Sequence, residues 1–219
     1  MSRAGKFSSQ GDEYQLQIGL HWVIQLLEDK SIDFIQVEST GVPNLGKPVT
    51  VDDVVIFFKD SCAKFAQAKK NSPQHTNWSI KTIGDELRKA VLQLNAYENC
   101  SILFYSQSPW GEVKSLVESC KIYPDFTAFQ NALDVSAKTK DLLPSLSEII
   151  SQPESEAFRL ACSISFGEPF SIEEWERQNL NALSRIIPRA ALGIDVIRGL
   201  LSKHQINLPG TPFKLTRDA

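Results

Sequence analysis

The first half of the chain alternates between helix-like and strand-like spacing of its hydrophobic residues. Apolar residues recur three or four positions apart within 12–30, at Leu16, Leu20, Val23 and Leu27. This spacing predicts an amphipathic helix that is mostly buried. Runs rich in β-branched and aromatic residues predict four strands, at 33–38, 53–58, 63–69 and 101–106. A second helix, predicted at 82–97, separates the last two strands, and this order is typical of a mixed α/β core.

Beyond residue 108 the spacing predicts helices only. They are predicted at 110–120, 126–134, 154–165 and 189–204, with a further helix that starts at Ser171. Ser171 and Glu174 have the spacing of a capping box, which marks the beginning of a helix. The chain is therefore divided into a disordered N-terminus, an α/β core, a helical extension and a linker, at 1–11, 12–122, 123–207 and 208–219. The linker indicates a further domain outside this chain.

Composition narrows the class of protein. The 219 residues are 42% hydrophobic and 22% charged, which suits a packed core and excludes a disordered or fibrous chain. The net charge of −3 argues against a protein that coats nucleic acid through its overall charge. No apolar run is long enough for a membrane span or a secretory signal, which predicts a cytoplasmic protein. The four cysteines are far apart and are expected to be reduced packing residues.

Three polar residues at strand ends form the pattern that most strongly indicates a functional site. Gln67 and Lys69 are two positions apart at the end of one strand, so they lie on the same face. Asp53 begins the preceding strand, and antiparallel pairing brings it beside them. A carboxylate, an amide oxygen and an ammonium group that converge can hold a divalent cation and stabilise charge during phosphodiester hydrolysis. Each residue taken alone is also typical of a turn or a solvated strand edge.

A short series of motifs resembles the restriction-endonuclease-like, or PD-(D/E)-x-K, nuclease superfamily. The series runs from Gly11-Asp-Glu-Tyr-Gln15 through Glu38 and Asp52-Asp53-Val-Val-Ile to Gln67-Ala-Lys69. It is most similar to the Mrr-like branch with a Q-x-K motif. Within that branch it resembles the N-terminal nuclease domain of Cap4-type bacterial anti-phage effectors, over about residues 11–106. The resemblance implies a restriction-endonuclease-like mixed sheet flanked by helices, with a C-terminal helical extension.

The resemblance also implies roles for single residues. Asp53 is carried over as the metal-binding acid, Gln67 as the residue in place of the usual Glu, and Lys69 as the catalytic lysine. Glu38 is implied as an additional metal ligand, and Gln15 as a supporting residue at the end of the first helix. The implied cofactor is Mg²⁺, with Mn²⁺ as an alternative.

Two details of the motifs affect the expected metal site. Asp52 precedes Asp53 and leaves the register of the acid open; Asp53 is preferred because it directly adjoins the apolar run. Gln67 offers a carbonyl oxygen but no negative charge, so the metal affinity is expected to be lower than at a site with two or three carboxylates.

A local excess of positive charge indicates a polyanionic partner. Between residues 59 and 81, five lysines face one acidic residue, Asp60, which gives a local charge of +4. The residues expected to contact phosphates are Lys64, Lys70, His75 and Lys81. A solvated loop without special function is the alternative interpretation of this segment.

These features together predict a metal-dependent DNA endonuclease, and the resemblance to the Cap4-type effectors implies that it acts in bacterial anti-phage defence. The expected substrate is double-stranded DNA, and activation is expected to require self-association through an attached sensor or regulatory domain. The alternative is a catalytically degenerate nuclease-fold module that binds nucleic acid or mediates assembly.

Overall fold

The structure is a computed structural model that describes residues 9–37, 49–51, 53–69, 77–133, 135–207 and 214–217. The helices are α1 (Ser9–Glu28), α2 (Gly84–Ala96), α3 (Gly111–Lys121), α4 (Phe126–Asn131), α5 (Ala137–Lys140), α6 (Leu142–Ile150), α7 (Glu154–Ser163), α8 (Ile172–Ser184) and α9 (Ala190–Asn207). The strands are β1 (Ile32–Val37), β2 (Val54–Phe58), β3 (Ala63–Lys69), β4 (Cys100–Ser106), β5 (Ile164–Phe166) and β6 (Lys214–Leu215). Among the described residues, no helix combines the length and the hydropathy needed to cross a bilayer.

The strands form one mixed sheet in the order β5-β4-β3-β2-β1-β6. β1, β2 and β3 make an antiparallel meander, and β6 pairs antiparallel with the free side of β1. α2 then carries the chain back along the sheet, so that β4 runs parallel to β3, and β5 runs parallel to β4. The prediction of a mixed α/β sheet flanked by helices is confirmed at this level.

Two hydrophobic cores lie on the two faces of the sheet. The larger core contains Phe65 and Phe104 and is covered by the helices α2, α3, α6 and α7. The second core contains Ile35 and Ile56 and is covered by α1, α8 and α9. The alternation of side chains along a strand explains this division, since Phe65 enters the first core and its neighbour Ala66 enters the second.

Two short strands lie where the sequence predicts none. β5 falls within the segment predicted to be helical, and β6 falls within the segment predicted to be a linker. Strands of three and two residues are too short to show the alternation from which a strand is predicted. β6 is followed by Arg217, whose guanidinium donates to the carbonyl oxygens of Leu26 at 2.9 Å and Asp29 at 2.8 Å. The division of the chain into a core, an extension and a linker stays a prediction, and residues 1–8 of the expected disordered N-terminus lie outside the described residues.

Candidate functional site

Asp53 lies at the end of the sheet where β2 begins and β3 ends. The register of these two strands pairs Val54 with Ala66, so Asp53 comes level with Gln67. α1 passes this end of the sheet within the second core and brings Gln15 to the same place. The antiparallel pairing thus brings together Asp53, Gln67 and Gln15, which the sequence places in one site.

The carboxylate of Asp53 is the acceptor at the centre of this arrangement. Its Oδ1 accepts a hydrogen bond from Nε2 of Gln15 at 2.7 Å. Its Oδ2 accepts from Nε2 of Gln67 at 2.5 Å and from the backbone N–H of Ala68 at 2.6 Å. Hydrogen bonds to an ionised carboxylate are stronger than those between neutral groups. One side chain therefore joins α1, the start of β2 and the end of β3.

Lys69 is paired with a different acid. Its ammonium group forms an ion pair with the carboxylate of Glu86, in the first turn of α2. The two side chains are only 25% and 14% exposed, so the pair is partly removed from water. Glu86 is also stabilised by the positive end of the helix dipole. We call the five residues Gln15, Asp53, Gln67, Lys69 and Glu86 the polar end cluster.

Asp53→Ala is expected to lower the free energy of unfolding by about 2 kcal/mol, because three partly buried N–H donors lose their acceptor. Asp33→Ala is the matched control, since Asp33 is an exposed carboxylate on β1 and its loss should change stability by no more than about 0.5 kcal/mol. Urea denaturation of the two variants measures the difference. Equal effects of both substitutions would show that the Asp53 hydrogen bonds contribute nothing to stability.

The described residues of the polar end cluster do not by themselves form a magnesium site. Mg²⁺ requires near-octahedral oxygen ligands, whereas both oxygens of Asp53 accept from N–H donors and Gln67 turns its Nε2 toward the carboxylate. In the described part of the chain, no group of three His, Cys, Asp or Glu side chains is arranged to hold a metal ion. Glu38 and Asp52 lie outside the described residues. The Mg²⁺ or Mn²⁺ ion therefore stays a prediction.

Two of the four residues expected to contact phosphates, Lys64 and Lys81, lie in the described part of the chain. Lys64 lies at the start of β3, at the opposite end of the strand from Lys69, with its Nζ 5.4 Å from the ring centroid of Phe58. Lys81 is exposed in the turn before α2. Lys70 and His75 lie outside the described residues. Phosphate contacts by these four residues stay a prediction.

Two contacts of the site are not predicted from the sequence motifs. Glu86 is the partner of Lys69, and the N–H of Ala68 is the third donor to Asp53. A signal for Glu86 exists in the sequence, because an acidic residue in the first turn of an amphipathic helix after the Q-x-K strand lies at the same end of the sheet. The backbone donor of Ala68 leaves no signal, since any residue except proline carries one.

The fold is similar to that of bacterial receptors of known structure. Over 90% of this chain, it matches the Acinetobacter baumannii Cap4 SAVED/CARF-domain containing receptor with the cyclic trinucleotide 3′3′3′-cAAA, at 16% identity and a TM-score of 0.58. The same receptor with 2′3′3′-cAAA matches over 91% of this chain, at 16% identity and a TM-score of 0.57. The Moraxella osloensis Cap4 SAVED/CARF-domain containing receptor matches over 98%, at 15% identity and a TM-score of 0.56.

At these identities the likeness shows the fold alone. The match covers 41%, 42% and 45% of the three receptor chains, so this chain spans less than half the length of each. The sequence matches no protein-family model and no curated protein.

The comparison overturns the interpretation of the chain as a nuclease. The resemblance to the Q-x-K nucleases and to a Cap4 nuclease domain is wrong, because the structural likeness is to proteins described as SAVED/CARF-domain containing receptors. The predicted function and enzyme class, a metal-dependent DNA endonuclease, are wrong for the same reason. The cluster geometry gives a physical basis for the error. Asp53 is engaged by N–H donors and Lys69 by Glu86, which are contacts that residue types alone do not reveal.

The expected partners are corrected in the same way. The ligand named with the similar receptors is a cyclic trinucleotide, and double-stranded DNA is not among the named molecules. The expectation that an attached sensor gathers copies of a nuclease is wrong as well, because the likeness is to receptors themselves.

Proposed function

We propose that this chain is a ligand-binding module of a receptor-type bacterial defence protein and that it responds to a nucleotide signal. The observation that carries the proposal is the fold likeness, over nine-tenths or more of the chain, to receptors of which two structures are described with a cyclic trinucleotide. The chain spans less than half of those receptors, so the activity of a whole receptor extends beyond this module.

The polar end cluster is the proposed ligand site. It contains side-chain amides at Gln15 and Gln67, a carboxylate at Asp53 and an ammonium group at Lys69. Amide and carboxylate groups pair with the donors and acceptors along the edges of bases, and a lysine contacts phosphates. The cluster therefore combines the two kinds of group that a nucleotide ligand needs.

The ion pair between Lys69 and Glu86 lowers the affinity of this site for an anionic ligand. An anionic phosphate that approaches the cluster must compete with the Glu86 carboxylate for the ammonium group. Both side chains are partly removed from water, so an unpaired ammonium group would be unfavourable here. A phosphate that replaces the Glu86 carboxylate keeps Lys69 paired with an anion. Removing the competing charge should therefore favour the ligand.

The proposal is tested by titration of the protein with 3′3′3′-cAAA and 2′3′3′-cAAA in a calorimeter. Lys69→Ala is expected to weaken binding by about tenfold or more, which corresponds to the loss of one charge-assisted contact. Glu86→Gln is expected to tighten binding severalfold, because it leaves Lys69 free for the phosphate. The opposite direction of these two effects is specific to the proposed exchange.

Lys59→Ala is the matched control for this titration. Lys59 is exposed and follows β2 at the end of the sheet opposite to the polar end cluster, so its removal should leave the affinity unchanged. A wild-type protein that binds neither trinucleotide contradicts the proposed function. Binding that is equally weakened by Lys59→Ala and Lys69→Ala contradicts the proposed site.

The finer fold class is a separate proposal. We propose that the mixed sheet is of the restriction-endonuclease-like class. The support is the order α1, β1, β2, β3, α2, β4, in which an antiparallel meander is followed by a strand parallel to β3. A fold of that class carries no activity by itself, since one fold can hold unrelated sites.

A further inference from the structure

Gln93 is a buried amide on α2 that contacts the segment before Asp53. Its side chain is completely removed from water. Its Oε1 accepts a hydrogen bond from the backbone N–H of Thr50 at 2.7 Å and from that of Val51 at 3.3 Å. The hydroxyl of Thr50 donates to the carbonyl oxygen of Lys89, one turn earlier on α2, at 2.8 Å. One helix therefore holds the residues two and three positions before Asp53.

The chain is anchored on both sides of Asp53. Before it, the buried side chain of Val51 packs in the larger core, on the face of the sheet that α2 covers. After it, Val54 begins β2, and its side chain enters the second core. The position of the Asp53 carboxylate therefore depends on where Thr50 and Val51 are held.

Packing alone does not explain a polar side chain at position 93. The neighbouring buried residues of α2 include the apolar side chains of Ala90, Val91 and Leu94. An amide is unfavourable in such surroundings unless its polar atoms are hydrogen-bonded. Two backbone N–H groups use Oε1 of Gln93, whereas no described residue accepts a hydrogen bond from Nε2. The side chain therefore serves as an acceptor for the segment before Asp53.

The same helix contacts both strand ends at which the polar end cluster lies. Glu86 and Gln93 are seven residues apart, which places them on one face of α2. Glu86 pairs with Lys69 at the end of β3, and Gln93 holds the segment that leads into β2. Gln93 thus supports the cluster without belonging to it.

We propose that Gln93 is a positioning residue for the proposed ligand site. It fixes the segment before Asp53 and thereby keeps the carboxylate where it orients the side-chain amides of Gln15 and Gln67. Gln93 acts through Asp53 and makes no contact with the ligand. Its effect on binding rests on the proposed function, whereas its effect on Asp53 rests on contacts within the chain.

Amide hydrogen exchange of the free protein tests the positioning without any ligand. The N–H of Ala68 donates to Oδ2 of Asp53 at 2.6 Å, so its exchange rate reports on the place of that carboxylate. Gln93→Leu removes the acceptor and nearly keeps the size of the side chain. It is expected to speed exchange at Ala68 by about tenfold relative to the other amides of β3.

Leu94→Ala is the matched control for general destabilisation. It removes buried apolar volume from the larger core next to Gln93 and keeps the amide. It should lower Tm and speed the exchange of the β3 amides alike, without a selective effect at Ala68. Thr50→Val removes only the hydroxyl contact of a half-buried residue, so it should fold in any case and should speed exchange at Ala68 selectively by a smaller factor.

Calorimetric titration with 3′3′3′-cAAA then measures the effect on the ligand site. Gln93→Leu is expected to weaken binding by about fivefold or more, whereas Leu94→Ala should leave the affinity of the folded protein unchanged. Circular dichroism confirms that each variant is folded.

The two measurements separate the possible failures. A wild-type protein that does not bind the trinucleotide contradicts the proposed function, and the exchange at Ala68 still decides whether Gln93 positions Asp53. If neither Gln93→Leu nor Thr50→Val changes that exchange selectively, the positioning of Asp53 by this contact is overturned. If Gln93→Leu changes the affinity no more than Leu94→Ala does, Gln93 has no role in the ligand site.

Discussion

Gly167→Ala is expected to lower the free energy of unfolding by about 3 kcal/mol, because the added methyl group has no room. Gly167 follows β5 directly, and its N–H donates to the carbonyl oxygen of Phe104 at 2.9 Å. A Cβ atom at this position would lie 2.0 Å from Cε1 and 2.1 Å from Cδ1 of Tyr105. The ring of Tyr105 is buried and packs edge-on against Trp175, with centroids 5.8 Å apart, so it has nowhere to move.

Thermal unfolding followed by circular dichroism measures this effect. A loss of about 3 kcal/mol should lower Tm by about 6–12 °C in a chain of this size. Gly199→Ala is the matched control, since Gly199 lies within α9 with no heavy atom within 4 Å of the new Cβ, and alanine there should stabilise the helix by about 0.5–1 kcal/mol. If Gly167→Ala and Gly199→Ala shift Tm by similar amounts in the same direction, the close packing of Gly167 against Tyr105 is contradicted.

Acidification is expected to destabilise the protein through His21. This side chain lies in α1 against the rings of Trp22 and Trp175, with centroid distances of 5.4 Å and 5.0 Å. Burial lowers the pKa of His21 from its ordinary 6.5 to about 4, because the charged imidazolium is poorly solvated there. The unfolded chain therefore binds a proton more readily than the folded chain between these two pH values.

The free energy of unfolding should consequently be highest above pH 6.5 and should fall as the pH falls toward 4. The contribution of His21 to this loss is about 2 kcal/mol by pH 5 and about 3 kcal/mol by pH 4. His21→Phe keeps an aromatic ring that cannot be protonated, so urea denaturation of this variant should show a smaller loss over the same range. Carboxylates that titrate near pH 4 are common to both proteins and cancel in the difference. Identical pH profiles would mean that His21 is protonated equally well in both states.

The sequence predicts most of the architecture because the central elements are long and strongly patterned. The third strand is predicted at 63–69 and is found at Ala63–Lys69, and the capping box at Ser171 and Glu174 starts α8 as expected. β5 and β6 are missed because their pairing partners, β4 and β1, lie far away in the sequence. Such strands are fixed by the free edge of the sheet and not by their own few residues.

The polar end cluster shows where reasoning from residue types reaches its limit. The order of Asp53, Gln67 and Lys69 along two antiparallel strands is enough to place them at one end of the sheet. Residue type does not show which end of the Gln67 amide faces Asp53, or that Lys69 forms an ion pair with Glu86. The predicted function is wrong because of the likeness to the receptors, although Asp53 and Gln67 meet at one end of the sheet as expected.

The position of β6 has a consequence for how the protein is made. β1 ends at Val37, and its second neighbour in the sheet, β6, is synthesised only when translation reaches Lys214–Leu215. At translation rates of about 5–20 residues per second, the edge of β1 therefore waits roughly 10–35 s for its partner. During that interval the main-chain groups on the open side of β1 are available to strands of other nascent chains. The pairing of Lys214 and Leu215 with β1 thus protects this edge from aggregation only after most of the sheet has been synthesised.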